Sequence, residues 1–150
     1  FKNGSGKKLP LLRQKMYLVE TGKPDSSTGS CVEAVRKNFA SSNIWSEFDD
    51  ITESLMNDLK SNNQLKIIKG IRENHQLLKK IGVVPEKVEK FINEIEKLGG
   101  AAKISGAGSV KGNNAGAVLV FCEKPPTDLC IEYGYTISTV RGDPLGTRII

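Results

Sequence analysis

GGAAKISGAGSVKGNNAGAVLVF, residues 99–121, is the stretch that decides the fold. It predicts a short strand from Ala101 to Ser105, a glycine-rich loop, and a strong strand from Ala115 to Cys122. The second strand contains the unbroken apolar run 117–121, which is typical of a central strand covered on both faces. The sequence therefore places a tight, glycine-rich loop between two strands of a sheet.

Upstream of this stretch, apolar side chains recur at three- and four-residue spacing, which predicts amphipathic helices. The stripe of the first helix contains Cys31, Val32, Val35 and Phe39. The four predicted helices are one headed by Ser26, Ser27 or Thr28, one from about Asn43, one from Gln64 to Ile81 ended by Gly82, and one opened by Pro85.

The remaining strands lie at the two ends of the chain. Met16–Val19 is short and apolar, and Tyr133–Val140 and Leu145–Ile150 flank a Gly-Asp-Pro turn and predict a hairpin. A strand, then helices, then strands that pair with one another indicate an α+β fold. We expect a two-layer sandwich with an antiparallel sheet of at least four strands.

Composition excludes several classes of protein. The 22 basic and 17 acidic residues are interspersed and give a net charge of +5. No block of like charge indicates a nucleic-acid arm, and no apolar stretch is long enough to span a membrane. Three cysteines without a C-x-x-C pair argue against a disulfide framework or a zinc site, and favour a reducing cytoplasm.

The glycine-rich loop is the candidate for chemistry. Three glycines in seven positions permit positive φ and close approach by another group. Successive N–H groups in such a loop can bind an anion, and Lys103 and Lys111 add positive charge. The loop lacks the endings of a Walker A motif and of a dinucleotide fingerprint. On the residues alone, a glycine-rich hairpin without any ligand is an equal alternative.

A family resemblance favours the functional interpretation. The segment from Gly99 to Gly108 resembles the third signature motif of the galactokinase–homoserine kinase–mevalonate kinase–phosphomevalonate kinase (GHMP) superfamily, roughly G-A-K-x-(S/T)-G-A-G-G-G-G before a hydrophobic strand. Asn74 to Val83, NHQLLKKIGV, resembles a mevalonate kinase segment. Leu18–Lys23 followed by Ser26–Thr28 is similar to the opening of the C-terminal half of mevalonate kinases. The three matches occur in the family order.

This resemblance implies the C-terminal domain of a two-domain kinase, most like mevalonate kinase. The implied fold is a ferredoxin-like antiparallel sheet with helices on one face. Such an enzyme transfers the γ-phosphoryl group of ATP, with Mg²⁺, to the hydroxyl of mevalonate. Its phosphate loop, catalytic residues and most metal ligands lie in the N-terminal half, so we expect this chain to contain no catalytic residue and no metal site.

The domain boundaries follow from the same resemblance. The Asn3-Gly4 turn signal has almost no strand before it. We therefore expect residues 1–14 to be a hairpin remnant or linker from an N-terminal half, and residues 15–150 to be the C-terminal domain. The expected partners are that N-terminal domain, mevalonate and ATP, with no nucleic acid or membrane, and the resemblance suggests a homodimer.

The resemblance also selects site residues. The residues expected to line the substrate and phosphate loop are Thr28, Lys103, Ser105, Gly106, Ala107, Gly108 and Ser109. We expect 105–108 to lie at the surface, where a glycine-to-valine change at Gly108 would harm activity more than folding. Ser109-Val110-Lys111 departs from the family's glycine run, which puts contacts beyond Gly108 in doubt.

Other interpretations stay open at this point. His75, the only histidine, is a conceivable base, but packing or hydrogen bonding at a helix surface is favoured. Asp143 is most simply a turn residue. Phosphomevalonate kinase, another GHMP kinase, or a ligand-sensing α+β module are alternative functions. An RNA-binding sheet is disfavoured because the central strand carries little aromatic surface.

Overall fold

The computed structural model describes residues 14–142, which form nine elements of secondary structure. Five are helices and four are strands. In chain order they are β1 (Met16–Glu20), α1 (Thr28–Phe39), α2 (Ile44–Ser61), α3 (Gln64–Lys80), α4 (Glu86–Lys97), β2 (Ala101–Ser105), β3 (Ala117–Phe121), α5 (Thr127–Tyr133) and β4 (Thr136–Val140).

The four strands form one antiparallel sheet in the order β2-β3-β1-β4. Val19 of β1 stands opposite Val118 of β3 on one side and Ile137 of β4 on the other. Ile104 of β2 stands opposite Val118. The predicted α+β fold with an antiparallel sheet is therefore confirmed, and β3 is an interior strand, as its apolar run indicates.

The main core lies on one face of this sheet. Alternate strand residues, including Val19, Val118 and Ile104, are almost completely buried. They pack against the apolar stripe of α4, which contributes Val88, Phe91, Ile92 and Ile95. Phe91 also meets Tyr133 and Tyr135 edge-on, at centroid distances of 5.4 and 5.2 Å. Helix α4 thus holds the sheet and α5 together.

A second cluster lies at one end of the sheet and takes strand residues of the opposite parity. Ile67 and Ile71 of α3 pack with Ala101 and Phe121. Because neighbouring residues of a strand point to opposite faces, α3 reaches past the edge strand β2 onto the other face. Arg72 fastens this edge by donating to the carbonyls of Gly100 and Glu96.

The C-terminal region differs from the prediction. The expected strand Tyr133–Val140 begins only at Thr136, and Tyr133 ends the short helix α5, which the sequence analysis missed. Strand β2, expected to be short, completes the four-stranded sheet. The predicted strand Leu145–Ile150, Asp143, and all of the expected linker 1–14 except Gln14 lie outside the described residues.

No helix within residues 14–142 is long and apolar enough to cross a membrane.

Candidate functional site

The glycine loop divides into two parts, which we call the outer arm (105–107) and the anchored arm (108–116). Ser105 and Gly106 are exposed and Ala107 is half-buried, whereas Gly108 and Ser109 are buried. The expectation that residues 105–108 lie at the surface is therefore wrong for Gly108. The outer arm alone faces solvent.

Gly106 has a backbone that only glycine adopts readily, and it faces open space. Its φ is +124°, and no atom lies within 4 Å of the position that a Cβ would occupy. Positive φ of this kind is costly for residues with a side chain. Gly106 therefore keeps a turn of the chain next to an unfilled volume.

Gly108 is glycine for a different reason, namely close packing. Its φ is +67°, and a Cβ there would overlap the carbonyl oxygen of Val83 and press on the side chain of Ile104. The neighbouring Ser109 N–H donates to the same Val83 carbonyl at 2.9 Å. The anchored arm thus lies directly on the turn that follows α3.

The outer arm leaves backbone donors free. The N–H groups of Gly106 and Ala107 donate no hydrogen bond to any other residue in the described range 14–142. Consecutive unpaired N–H groups next to a glycine at positive φ form the kind of concavity that binds anions. The geometry of the outer arm fits a phosphate or carboxylate oxygen.

Ser109, the departure from the family's glycine run, has a structural role. Its side chain accepts a hydrogen bond from the Ser26 N–H at 3.0 Å and donates to the Lys111 carbonyl at 2.8 Å. The Ser26 hydroxyl in turn accepts from the Val110 N–H at 3.3 Å. The Ser109 hydroxyl therefore joins the glycine loop to the segment that leads into α1.

Two further contacts extend this connection along the anchored arm. The Asp25 carboxylate accepts from the Asn113 N–H at 3.3 Å. The buried Thr21 hydroxyl donates to the Gly116 carbonyl and accepts from the Ala115 N–H, both at 2.9 Å. Residues 21–26 and the anchored arm consequently form one hydrogen-bonded unit.

The start of α1 presents a free hydroxyl beside this unit. Ser27 is the N-cap, and its hydroxyl accepts from the Ser30 N–H at 3.1 Å. Thr28 is the first helical residue and is exposed, and its hydroxyl bonds to no other described residue. One turn on, the Cys31 thiol lies 3.7 Å from the Gly108 carbonyl. Thr28 thus lies in the chain between two residues that contact the loop, Ser26 and Cys31.

The two lysines of the motif lie apart. The side chain of Lys103 lies on the same face of β2 as that of Ser105. The side chain of Ile104, which lies against Gly108, is on the other face. The Lys103 ammonium donates to the Ile104 carbonyl at 3.1 Å, and burial lowers the pKa of Lys103. Lys111 is exposed in the anchored arm. The structure does not bring Lys103 to the α1 side of the loop.

His75 is part of the core, not of the helix surface where the sequence analysis expected it. It is completely buried, and neither ring nitrogen has a hydrogen-bond partner among residues 14–142. Burial lowers the pKa of His75 to about 4, while the nearby Glu89 and Lys79 have smaller, opposing effects. A neutral, enclosed imidazole does not act as a base on a ligand at the loop.

Metal and thiol chemistry have little support in the described part of the chain. No three His, Cys, Asp or Glu side chains there are grouped so that they could hold a metal ion. All three cysteines are free, and burial raises the pKa of the Cys122 thiol to about 11. The Cys122 thiol is therefore protonated at neutral pH.

The sequence analysis missed the residues that support the loop. Ser26, Asp25 and Thr21 are short polar residues in a turn, and their contacts to residues about 90 positions away leave no periodic signal. A different signal was present in the run Ser26-Ser27-Thr28, which holds more hydroxyl groups than a single N-cap needs. The structure assigns one to the loop and one to the cap, and leaves that of Thr28 free.

Comparison with known proteins agrees with this arrangement. Residues 55–110 match the family model of the GHMP kinases C terminal domain. The matched segment contains α3, α4, β2 and the outer arm. No curated protein matches the sequence. The resemblance predicted from the motifs is confirmed, because the model covers two of the three matching segments.

Solved structures with a similar fold include mevalonate kinases and a phosphomevalonate kinase. Mevalonate kinase from Methanococcus jannaschii is 24% identical with a TM-score of 0.69, over 87% of this chain and 40% of its own. L. major mevalonate kinase in complex with R-mevalonate is 18% identical, with a TM-score of 0.69 and coverage of 85% and 40%. Phosphomevalonate kinase from Streptococcus pneumoniae, in complex with phosphomevalonate and AMPPNP, is 16% identical, with a TM-score of 0.72 and coverage of 89% and 42%. The chain thus spans about two fifths of the length of these enzymes.

Proposed function

Starting from the GHMP kinase C-terminal domain in this chain, we propose that it is the C-terminal half of an ATP-dependent kinase that phosphorylates the hydroxyl of mevalonate. Residues 15–150 would form this half, and residues 1–14 would connect it to an N-terminal half. Three free cysteines are consistent with a cytoplasmic enzyme. The homodimer that the family resemblance suggests stays a prediction.

The outer arm carries the proposal. This arm has unpaired N–H groups and an open volume in front of Gly106. The head of α1 adds the free hydroxyl of Thr28. Phosphoryl transfer depends on positioning and on electrostatic stabilisation of charge rather than on covalent chemistry by the protein. A group of unpaired backbone donors beside an open volume is suited to that task.

Each site residue has a proposed role. Gly106 and Ala107 would offer N–H groups to a phosphate oxygen or to a phosphate-binding loop of the N-terminal half. Thr28 would hydrogen-bond to the acceptor substrate, while Gly108 and Ser109 hold the outer arm in place. Bound ATP with Mg²⁺ would supply the phosphoryl group and neutralise its charge. Ser105 would lie at the edge of the cleft, and Lys103 would contribute only long-range positive charge.

Phosphomevalonate is the second candidate acceptor. A phosphomevalonate kinase with that substrate bound is among the structures that share the fold. The two acceptors differ by one phosphate group, which the residues described here do not distinguish. Both belong in the first assay.

The decisive experiment compares the 150-residue chain with the same chain joined to the N-terminal half encoded upstream. ADP release is measured with mevalonate, with phosphomevalonate and without an acceptor. We expect acceptor-dependent turnover only from the joined protein. Turnover by the chain alone would show that its chemistry lies within these residues. ATP binding without turnover on any acceptor would favour the ligand-sensing module.

A variant at Gly106 tests the role of the outer arm. In the joined protein, Gly106→Ala should lower kcat/KM at least tenfold, or about 1.4 kcal/mol of transition-state stabilisation. Gly82→Ala is the matched control, because Gly82 also has positive φ (+78°) and open space but lies outside the loop. Equal losses from the two variants would mean that backbone strain, not the site, accounts for the effect.

A further inference from the structure

Helix α1 has an apolar face that the described core hardly uses. Of its twelve residues only Cys31 is buried. Val35 and Phe39 are half-buried, and Val32 keeps 47% of its surface exposed. Removing apolar side chains from water is favourable. Burial of this face against a ligand would therefore stabilise the complex.

The exposed face of α1 forms one wall of a pocket of about 680 Å³. The other walls come from the start of α2, the end of α3 and the outer arm. This size is in the range of pockets for small molecules. The lining residues are Cys31, Val32, Val35, Arg36, Ala40, Trp45, Leu78, Ile81, Val83, Gly106 and Ala107.

Arg36 is the only charged residue in this lining. Its guanidinium forms neither a salt bridge nor a hydrogen bond with any residue between 14 and 142. An arginine fork binds carboxylate or phosphate through two parallel hydrogen bonds. An apolar pocket with one unpaired guanidinium is complementary to a ligand that has an apolar body and an anionic head.

We propose that this pocket binds an aliphatic chain with an anionic head group, either a fatty acid or an alkyl phosphate. The chain would lie against Val35, Leu78 and Ile81, and the head would bind Arg36. The site is an open groove between three helices and the outer arm, and its size suits a small molecule. The proposal does not depend on phosphoryl transfer. Because Gly106 and Ala107 line the pocket, its occupant would contact the outer arm.

Trp45, the only tryptophan of the chain, lines the pocket and provides the readout. The indole donates to the Phe39 carbonyl at 2.7 Å, and 40% of the side chain is exposed. The 150-residue chain is titrated with octanoate, octyl phosphate, octanol and inorganic phosphate, below their aggregation limits. We expect a saturable blue shift of Trp45 emission with one of the two anionic amphiphiles. The expected Kd is about 1 mM or below, which is roughly the affinity that about ten non-hydrogen ligand atoms can provide. Whether octanoate or octyl phosphate binds more tightly identifies the head group.

Variants of α1 test the role of the charge. Arg36→Gln should weaken binding of the anionic amphiphile about tenfold and leave the weaker binding of octanol unchanged. Arg36→Lys keeps the charge but not the planar guanidinium, so its affinity for the anionic amphiphile should lie between those of the parent and Arg36→Gln. Lys37→Gln removes an equivalent exposed charge outside the pocket and should change nothing. Arg36 is exposed, so these variants should fold, and circular dichroism checks that they do.

Three results would overturn the proposal. The absence of any saturable change at Trp45 up to the solubility limits would show that the pocket does not bind such chains. A saturable change that is the same in Arg36→Gln would show that the head group does not bind Arg36. Inorganic phosphate as effective as octyl phosphate would remove the role of the apolar walls.

Discussion

The outer arm and the anchored arm belong to one short loop, yet they obey different constraints. Gly106 in the outer arm faces open space, and the N–H groups around it lack partners in the described structure. Gly108 in the anchored arm is pressed against the Val83 carbonyl, and Ser109 next to it is 1% exposed and fully hydrogen-bonded. A glycine-rich motif therefore combines positions that serve a ligand with positions that hold the fold, and mutation can separate them.

The largest expected effect is at Gly108. Gly108→Ala should lower the free energy of unfolding by about 3 kcal/mol or more, because a Cβ overlaps backbone atoms that cannot move cheaply and φ is positive. Gly106→Ala should cost only the strain of positive φ, about 1–2 kcal/mol. Urea unfolding of both variants measures the difference. Similar losses at the two positions would mean that the loop is not divided as described.

This prediction is the opposite of the sequence-based expectation for Gly108. That expectation treated the whole loop as a surface that could relax after substitution. The sequence cannot show that the turn after α3 runs directly beneath one glycine and not the other, since Val83 is 25 positions from Gly108 in the chain. Glycines can be located by sequence, but the reason for each depends on tertiary contacts.

The second prediction concerns the support beneath the anchored arm. Helix α3 carries His75 and leads into Val83, which bonds to Ser109. With a native pKa of about 4 and an unfolded value near 6.5, His75 binds its proton more tightly in the unfolded chain. Its contribution to stability is therefore complete above about pH 6.5 and is lost as the pH falls to 4, by up to about 3 kcal/mol.

Comparison with a variant isolates this contribution. His75→Leu removes the only histidine of the chain, so carboxylates alone should titrate in the same window. The free energy of unfolding, measured by urea at several pH values, should fall less steeply from pH 6.5 to 4 in the variant. Parallel curves for the two proteins would show that folding does not lower the pKa of His75.

The regular elements were predicted well because their signals are long. Helices α2, α3 and α4 have apolar stripes of several turns, and Gly82 and Pro85 mark an end and a start. Helix α5 was missed because seven residues hold too little periodicity, and Ile131 and Tyr133 resemble the strand that follows. Its boundaries were nevertheless visible in Pro126, Asp128 in the first turn, and Gly134, which has a φ of +72°.

The third prediction tests the bond between the two segments of the site. Ser109→Ala removes the acceptor of the buried Ser26 N–H and should lower the free energy of unfolding by about 2 kcal/mol. Ser109→Gly, which restores the family's glycine, should cost at least as much. Melting curves of the two variants provide the measurement. If the glycine variant is as stable as the parent, Ser109 is a neutral departure and does not join the loop to α1.

The smallest effect separates two adjacent hydroxyls at the head of α1. Ser27→Ala removes the N-cap and should cost about 1 kcal/mol of stability. Thr28→Val keeps the shape of an exposed side chain whose hydroxyl has no partner in the described structure, so stability should change by less than about 0.5 kcal/mol. In the joined enzyme we expect the reverse order, with Thr28→Val raising KM for the acceptor and Ser27→Ala leaving it near normal. If Thr28→Val destabilises the chain as much as Ser27→Ala, then its hydroxyl belongs to the helix start, and the outer arm would have to bind its ligand without it.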